Sequence, residues 1–477
     1  MKFDMKKLAL YFAVLPMVAA IASTPKAVPS GEIGVRENPT AIHIQRTMKL
    51  MEESTAENPA RVRVFFYGQS IVGQRWHTYL MEGLKKKYPT VIFEVDNKAI
   101  GGYQAENLSR TAECDLYPYY PDLLFFHVYG KMDKYEEIVK KVRATTSAEI
   151  VLWTSHLSAA EDPKALLEKP DARSVAIKEV AERNKCMLVD LRKKWCEMLI
   201  ANNWEAKEML GDSVHMKSEK TGCMAKKYYA GFIGEDLCRI KGASGESDVS
   251  GTIERISVKD KRVKRKSDGS LELAFCGNRV VAVSDGKGKN EIKAELDGKP
   301  VSGYAEMYVN TRPSTLVSWM PMIRFVERKE GVMPLVENWT LTYLEGTQPF
   351  GPLVYKVEGS VTGFDGEGRS DADFVSNSGR AVIKKADFQA IGQYNYFVKK
   401  KIKEGEPLKG KYAKVGEKIT WKTVRMFKDG WVASKADDRA TLVQNCSNAK
   451  HKLVLKSEGG VKGIKEFVVY APAQKAK

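Results

Sequence analysis

Between residues 61 and 238, short apolar runs rich in β-branched and aromatic residues alternate with amphipathic stretches, and that alternation admits few folds. The candidate strands are residues 62–67, 91–95, 123–128, 150–153 and 187–191. Between them, Tyr135, Ile138, Val139 and Val142 fall at i, i+3, i+4 and i+7, and Ile177, Val180 and Ala181 repeat the spacing. Such spacing puts each set on one face of a helix. Strands that alternate with helices pack as a parallel sheet covered on both faces. The pattern therefore predicts a three-layer α/β domain over residues 61–240.

The chain changes character after that region. Residues 241–251 (Lys-Gly-Ala-Ser-Gly-Glu-Ser-Asp-Val-Ser-Gly) are Gly/Ser-rich and polar, as a linker is. Beyond them, alternating segments such as 271–275, 279–283, 291–296, 453–455 and 467–470 are separated by Asp-Gly and Gly-Gly turns, with little helical periodicity. Residues 252–477 accordingly read as an all-β, jelly-roll-like sandwich. A polar, turn-rich stretch at about 335–435, with a lysine-dense run at 399–403, is expected to be either an insertion between early and late strands or a small separate β module. With 477 residues, the chain is long enough for two or three such units.

Residues 1–22 carry Lys2, Lys6 and Lys7, then an apolar run over 8–20, then the small-x-small sequence Ala20-Ile21-Ala22. This reads as a secretory signal peptide. The run falls short of the ~20 residues that span a bilayer, and Pro16 interrupts it. The mature protein is expected to be exported, periplasmic or secreted, with no membrane span after signal removal. Residues 23–60 read as an N-terminal extension with a short helix at 42–53. The seven cysteines are scattered without Cys-x-x-Cys spacing, which is neither a disulfide framework nor a zinc signature. An oxidising compartment leaves room for one or two disulfides. No metal site and no cofactor is expected. The net charge of +17 suits anionic polysaccharides or membrane surfaces, or nothing beyond solubility. No recognised nucleic-acid-binding motif accompanies it.

Three short sequences fall where ligands gather in an open parallel sheet, at the carboxyl ends of the strands. The first strand ends in Gly68-Gln69-Ser70 and runs into a candidate helix at 72–87. A serine there sits at the sheet edge, with its backbone N–H among the unpaired donors of a helix start; alone, it reads equally as a helix cap. Asn97-Lys98-Ala99-Ile100-Gly101-Gly102 follows the second strand, and its glycines let backbone approach a ligand. Gly211-Asp212-Ser213-Val214-His215 precedes a candidate helix at 218–238. An Asp and a His three apart on a tight turn can hydrogen-bond, which fixes the imidazole tautomer and stabilises imidazolium.

Together these sequences have the order and spacing of the SGNH (GDSL-type) hydrolase blocks, and residues 61–238 resemble a member of that family. The resemblance implies a flavodoxin-like domain, Ser70 as nucleophile, Asp212 and His215 as its acid–base partners, and an oxyanion hole from the Ser70 and Gly102 N–H groups. Two departures stand out. The usual Gly-Asp-Ser is Gly-Gln-Ser, a change also found in sialate-type acetylesterases. The family's Gly-x-Asn-Asp after the third strand is replaced by Tyr129-Gly130-Lys131-Met132-Asp133, so the asparagine that supplies a third oxyanion donor is absent. Gln69, His127 and Lys131 are the candidates to stand in or to line the pocket, together with His156 after the fourth strand. The implied activity is an esterase that removes acyl groups, acetyl foremost, from an acylated polysaccharide or oligosaccharide. A lipase or thioesterase with the same residues is one alternative, and a non-catalytic carbohydrate-binding or envelope protein with a decayed site is another. Residues 252–310 and 440–472 resemble the accessory β-sandwiches of secreted bacterial esterases. Trp319, Trp339, Trp421 and Trp431 suit stacking on sugar rings but are expected to fill cores.

Overall fold

A computed structural model of the protein describes residues 26–245, 249–316, 319–346, 352–389 and 414–473. The expected leader at 1–22 and the lysine run at 399–403 lie outside those residues.

The α/β domain is built on five parallel strands, β1 (Arg61–Gly68), β2 (Ile92–Asn97), β3 (Leu123–His127), β4 (Glu149–Trp153) and β5 (Met187–Val189). Their spatial order is β2-β1-β3-β4-β5, the flavodoxin-like doubly wound arrangement. The helices are α1 (Gln45–Glu52), α2 (Ser70–Gly73), α3 (Trp76–Lys87), α4 (Ala105–Asp115), α5 (Met132–Thr145), α6 (Pro163–Glu168), α7 (Ala172–Arg183), α8 (Leu191–Asn202), α9 (Ala206–Met209) and α10 (Ala225–Asp236). Successive strand residues point to opposite faces, and both faces are covered. Val64, Phe66, Phe125 and Trp153 pack with Trp76, Trp195 and Tyr229 from α3, α8 and α10. Phe65, Tyr67, Phe126 and Leu152 pack with Leu108, Ile138 and Ile177 from α4, α5 and α7. The continuous apolar strands of the sequence follow from this double burial.

Local geometry departs from the sequence pattern in three places. The single helix expected at 72–87 is divided into α2 and α3, because Arg75 turns left-handed at φ +63°. The Trp76 indole then donates to the Ile71 carbonyl at 2.9 Å and fills the core against Trp153. The fifth strand stops at Val189 rather than 191, because Asp190 caps α8. The helix expected at 218–238 is a 3-10 turn at Glu219–Thr221 followed by α10, separated by Gly222 in a left-handed conformation.

The rest of the chain is antiparallel β structure. Its strands are β6 (Thr252–Ser257), β7 (Val263–Arg265), β8 (Leu271–Asp285), β9 (Ile292–Leu296), β10 (Lys299–Pro300), β11 (Tyr308–Asn310), β12 (Glu337–Tyr343), β13 (Val354–Gly359), β14 (Gly363–Arg369), β15 (Phe374–Val375), β16 (Val382–Ile383), β17 (Lys418–Arg425), β18 (Ala436–Ser457) and β19 (Ile464–Ala471). Seven strands form one sheet, β10-β9-β18-β8-β19-β6 with β7 against β8, and five form another, β11-β17-β12-β13-β14. Each sheet has its own core, around Leu273, Val280, Leu453 and Phe467 in the first and around Trp339, Leu341, Tyr355 and Trp421 in the second. The five-stranded sheet lies in the chain between β10 and β18. It begins at Tyr308, earlier than the expected 335, because Tyr308 pairs with Arg425 across more than a hundred residues.

Both sheets are fastened to the α/β domain. Tyr120 packs on Val281, Val283, Val468 and Tyr470, and its hydroxyl donates to Asn278 Oδ1 at 2.7 Å. Arg312, just after β11, pairs with buried Asp115 of α4 at 2.5 Å. Arg110 pairs with Asp387 at 2.7 Å and Glu327 at 2.5 Å. The linker is anchored at its end, where buried Ser250 accepts from Arg143 at 2.6 Å. All seven cysteines are free thiols. No helix among the described residues is long and apolar enough to cross a membrane.

Candidate active site

In this strand order the chain reverses direction between β1 and β3, so the crevice beyond their carboxyl ends is the expected ligand site. Ser70 stands there, first in α2, immediately after β1. The close packing of β1 on β3 explains the glycine two residues earlier: a Cβ on Gly68 would lie 2.1 Å from the His127 carbonyl oxygen and 2.5 Å from Val72.

The Asp212–His215 turn brings its imidazole to that serine. His215 Nε2 lies 2.8 Å from Ser70 Oγ, and His215 Nδ1 lies 2.8 Å from Asp212 Oδ2. The carboxylate divides its work. Oδ2 holds the ring, while Oδ1 accepts the N–H groups of Val214 at 2.8 Å and His215 at 2.7 Å, so the same residue that orients the histidine caps its turn. Burial opposes ionisation of Asp212, but those backbone bonds and the His215 ring outweigh it and hold the carboxyl at about 2. Asp212 is therefore a carboxylate at any pH near neutrality, which fixes the proton on Nδ1 and leaves Nε2 to accept from the serine.

Several groups fix the turn. Gln74, just after α2, accepts the Met216 N–H at 3.1 Å and donates to the Met216 carbonyl at 3.3 Å. The Ala159 N–H donates to the Ser213 carbonyl at 2.9 Å, and the Gly211 N–H to the His215 carbonyl at 2.7 Å. His156 is buried and donates from Nε2 to the Val214 carbonyl at 2.7 Å. Burial, with the Arg192 charge beside it, lowers its ring to about 4 even though the Val214 bond favours the charged form. His156 thus holds the back of the Asp212–His215 turn rather than facing the serine.

Gly102 follows β2 in the loop expected to give an oxyanion donor. It adopts φ +78°, a left-handed conformation that favours glycine, and a Cβ there would lie 2.5 Å from the Met320 Cε, the end of a flexible side chain. Among the described residues no hydrogen bond from its N–H is formed. The loop is held from the inside by Asn97, which accepts the Ala99 N–H at 3.0 Å and donates to the Val72 carbonyl at 3.1 Å. From the outside it is held by the five-stranded-sheet module. Arg312 donates to the Lys98 carbonyl at 2.7 Å, and the Trp319 indole to the Gly101 carbonyl at 2.8 Å. Trp319 is 58% exposed beside the site, which overturns the expectation that it fills a core. Trp339, Trp421 and Trp431 are buried.

The other pocket candidates lie away from the serine hydroxyl. His127 is fully buried, stacked on Trp153 at 5.4 Å. Its Nε2 lies 2.9 Å from Ser155 Oγ and its Nδ1 3.4 Å from the Gln69 amide nitrogen. Burial, with Arg173 and His156 nearby, lowers the ring to about 3. Gln69 is buried with its side chain turned to His127, and its Oε1 has no protein partner. Lys131 is exposed, and its N–H caps on Glu106 at 3.2 Å. None of the three bonds to Ser70. Sequence reasoning missed Gln74, Met320 and the contact of Trp319 with the loop. Gln74 has no pattern to mark it, and the latter two reach the site across more than two hundred residues of chain.

No group of three His, Cys, Asp or Glu side chains among the described residues is arranged to hold a metal. No protein-family profile matches the chain, and no curated protein matches it in sequence. Several solved structures resemble it loosely. A two-domain esterase active on acetylated mannans, co-crystallised with mannopentaose, superposes with a TM-score of 0.35 at 13% identity, over 94% of this chain and 98% of that one. An acetylxylan esterase from Geobacillus stearothermophilus superposes with a TM-score of 0.31 at 18% identity, over 38% of this chain and 97% of that one. An α/β hydrolase from the metagenome of Lake Arreo, Spain, gives a TM-score of 0.30 at 16% identity, over 37% of this chain and 96% of that one.

Proposed function

We propose that the protein is an exported serine esterase of the SGNH type that removes acetyl groups from a carbohydrate. The observation that carries this reading is the unbroken relay from Asp212 through His215 to Ser70, with 2.8 Å at each step, at the reversal point of a parallel sheet. In the reaction, Ser70 Oγ attacks the ester carbonyl carbon and its proton passes to His215 Nε2. The Ser70 and Gly102 N–H groups receive the oxyanion of the tetrahedral intermediate. Imidazolium, stabilised by Asp212, then protonates the departing sugar oxygen, which leaves an acyl-enzyme. A water, deprotonated by His215, attacks that ester and releases the free acid and Ser70. The hole then has two donors and no third side chain from the loop after β3, and the missing donor is expected to cost rate, by about 10²-fold or more.

The carbohydrate part of the reading is supported by the exposed Trp319 ring beside the loop, since aromatic faces suit sugar rings. The test is hydrolysis of 4-nitrophenyl acetate and of an acetylated polysaccharide panel by the wild type, Ser70→Ala and His215→Ala. Both variants should lose on the order of 10⁴-fold or more in kcat. A wild type inert on every ester would sink the proposal, and a preference for acyl chains of eight carbons or more would favour a lipase instead. Export is tested by fractionating cells that express the full chain: an unprocessed cytoplasmic protein would remove that part of the reading.

A further inference from the structure

A cavity of about 690 Å³ lies in the seam between the α/β domain and the β sheets, where β1, α4, β8, β17 and β18 meet. Its charge is lopsided. Of the carboxylates on its wall, Asp115 is committed to Arg312 at 2.5 Å and Asp96 to Lys98 at 3.5 Å. Of the remaining cations, Arg63 reaches Glu94 at 3.4 Å and Arg425 reaches Asp429 at 3.2 Å, while Arg279, Lys428 and Arg439 make no ion pair among the described residues.

Arg279, on β8, is the sharpest case. It is only 5% exposed and makes no ion pair among the described residues. Its guanidinium rests on the rings of Tyr470, 4.5 Å away, and Tyr120, 5.0 Å away. One nitrogen reaches Thr441 Oγ1 at 3.5 Å, while Nε and Nη1 have no partner. The Nε atom of Arg439, which lines the same cavity, is likewise unpartnered, whereas Arg63 Nε pairs with Glu94 at 3.4 Å. Burial, aggravated by the Arg279 charge, pushes Arg63 below the ordinary arginine range. The carboxylate best placed to neutralise the group, Asp122, accepts the Arg63 backbone N–H at 2.8 Å and pairs with no cation. Burial pushes Asp122 upward against the fields of Arg63, Arg279 and Arg46.

An arginine cannot shed its proton to escape such a site. Leaving guanidinium donors buried and unpaired forfeits their hydration with nothing in return. A cluster of them persists where a ligand supplies the missing acceptors, and the planar fork of arginine matches carboxylate, sulfate and phosphate groups.

We infer that the seam cavity is a binding site for an oxyanion, held by Arg279 and Arg439, that enters between the two domains. The source is either a free inorganic anion or the acidic group of a sugar. The site is separate from Ser70, which follows Arg63 by seven residues of extended strand, roughly 20 Å, and it does not depend on the esterase reading.

The experiment is calorimetric titration and thermal melting of the full mature chain with sodium sulfate, sodium phosphate and D-glucuronate. Sodium chloride at matched ionic strength and glucose are the controls. Saturable binding with a raised Tm is expected for at least one oxyanion and for neither control, and it should persist in Ser70→Ala. Sulfate or phosphate alone would identify an inorganic anion, and tighter glucuronate binding an acidic sugar. Arg279→Gln should weaken the binding by about tenfold or more, as the loss of a charge-assisted bond predicts. Should that buried substitution unfold the chain, Arg439→Gln, nearer the surface, is expected to give the same loss. No saturable binding, or binding unchanged in the folded variants, would overturn the inference and leave water as the occupant.

Discussion

At the residue scale, the features of the candidate site visible in the sequence are those whose chemistry needs neighbours in the chain. Asp212 and His215 are three apart, and the turn that joins them is built by the same carboxylate. The capping bonds and the contact with the imidazole are therefore one arrangement, so the cap reading and the proposed acid–base reading do not exclude each other. Gly68 and Gly102 were legible as glycines but not as to cause; the cause is a carbonyl of β3 in one case and Met320 in the other. The Gly102 contact makes a sharp prediction. Gly102→Ala pushes a methyl group against the movable Met320 Cε and strains a backbone at φ +78°, which shifts the N–H proposed to receive the oxyanion. We expect kcat on 4-nitrophenyl acetate to fall by about 10²-fold, with KM little changed. A variant as active as the wild type would remove Gly102 from the oxyanion hole.

At the scale of elements, the sequence placed every strand of the parallel sheet to within a few residues, because double burial writes itself as an apolar run. It merged α2 with α3, because the break at Arg75 serves the packing of Trp76 and leaves no local signal. It also treated His127 and His156 as open candidates. Both are braces behind the strand ends, kept neutral by burial at about 3 and about 4. The sign of their effect follows from linkage. Above the free-imidazole value near 6.5, folded and unfolded chains both hold these rings neutral and stability is undiminished. As the pH falls below it, the unfolded chain takes up protons that the folded chain refuses, so stability declines down to about 4 and then about 3. Tm should therefore fall steadily across that window. His156→Gln, which retains a donor for the Val214 carbonyl, should flatten the decline. A profile identical in the variant would show that His156 titrates normally in the folded protein.

At the scale of the whole molecule, the β sheets reach back into the chemistry of the α/β domain. The sequence suggested a separate accessory unit joined by a linker, since contacts between residues 312–320 and 98–102 have no signature in composition or periodicity. In the structure, Arg312 and Trp319 hold the Lys98 and Gly101 carbonyls of the loop after β2, and Met320 lies against Gly102. Two variants at one position separate the roles this implies. Trp319→Phe keeps an aromatic face but loses the indole donor, so the loop loosens while a sugar can still stack. Trp319→Ala loses both. If the indole serves the loop, both variants should lower kcat on 4-nitrophenyl acetate to the same extent, by several-fold, the scale of one net hydrogen bond of about 1 kcal/mol. If the ring also meets the carbohydrate, only Trp319→Ala should further raise KM on an acetylated oligosaccharide, which the small ester cannot report. Equal KM values for both variants on the oligosaccharide would confine Trp319 to positioning the loop, and wild-type kcat in Trp319→Phe would confine it to the sugar.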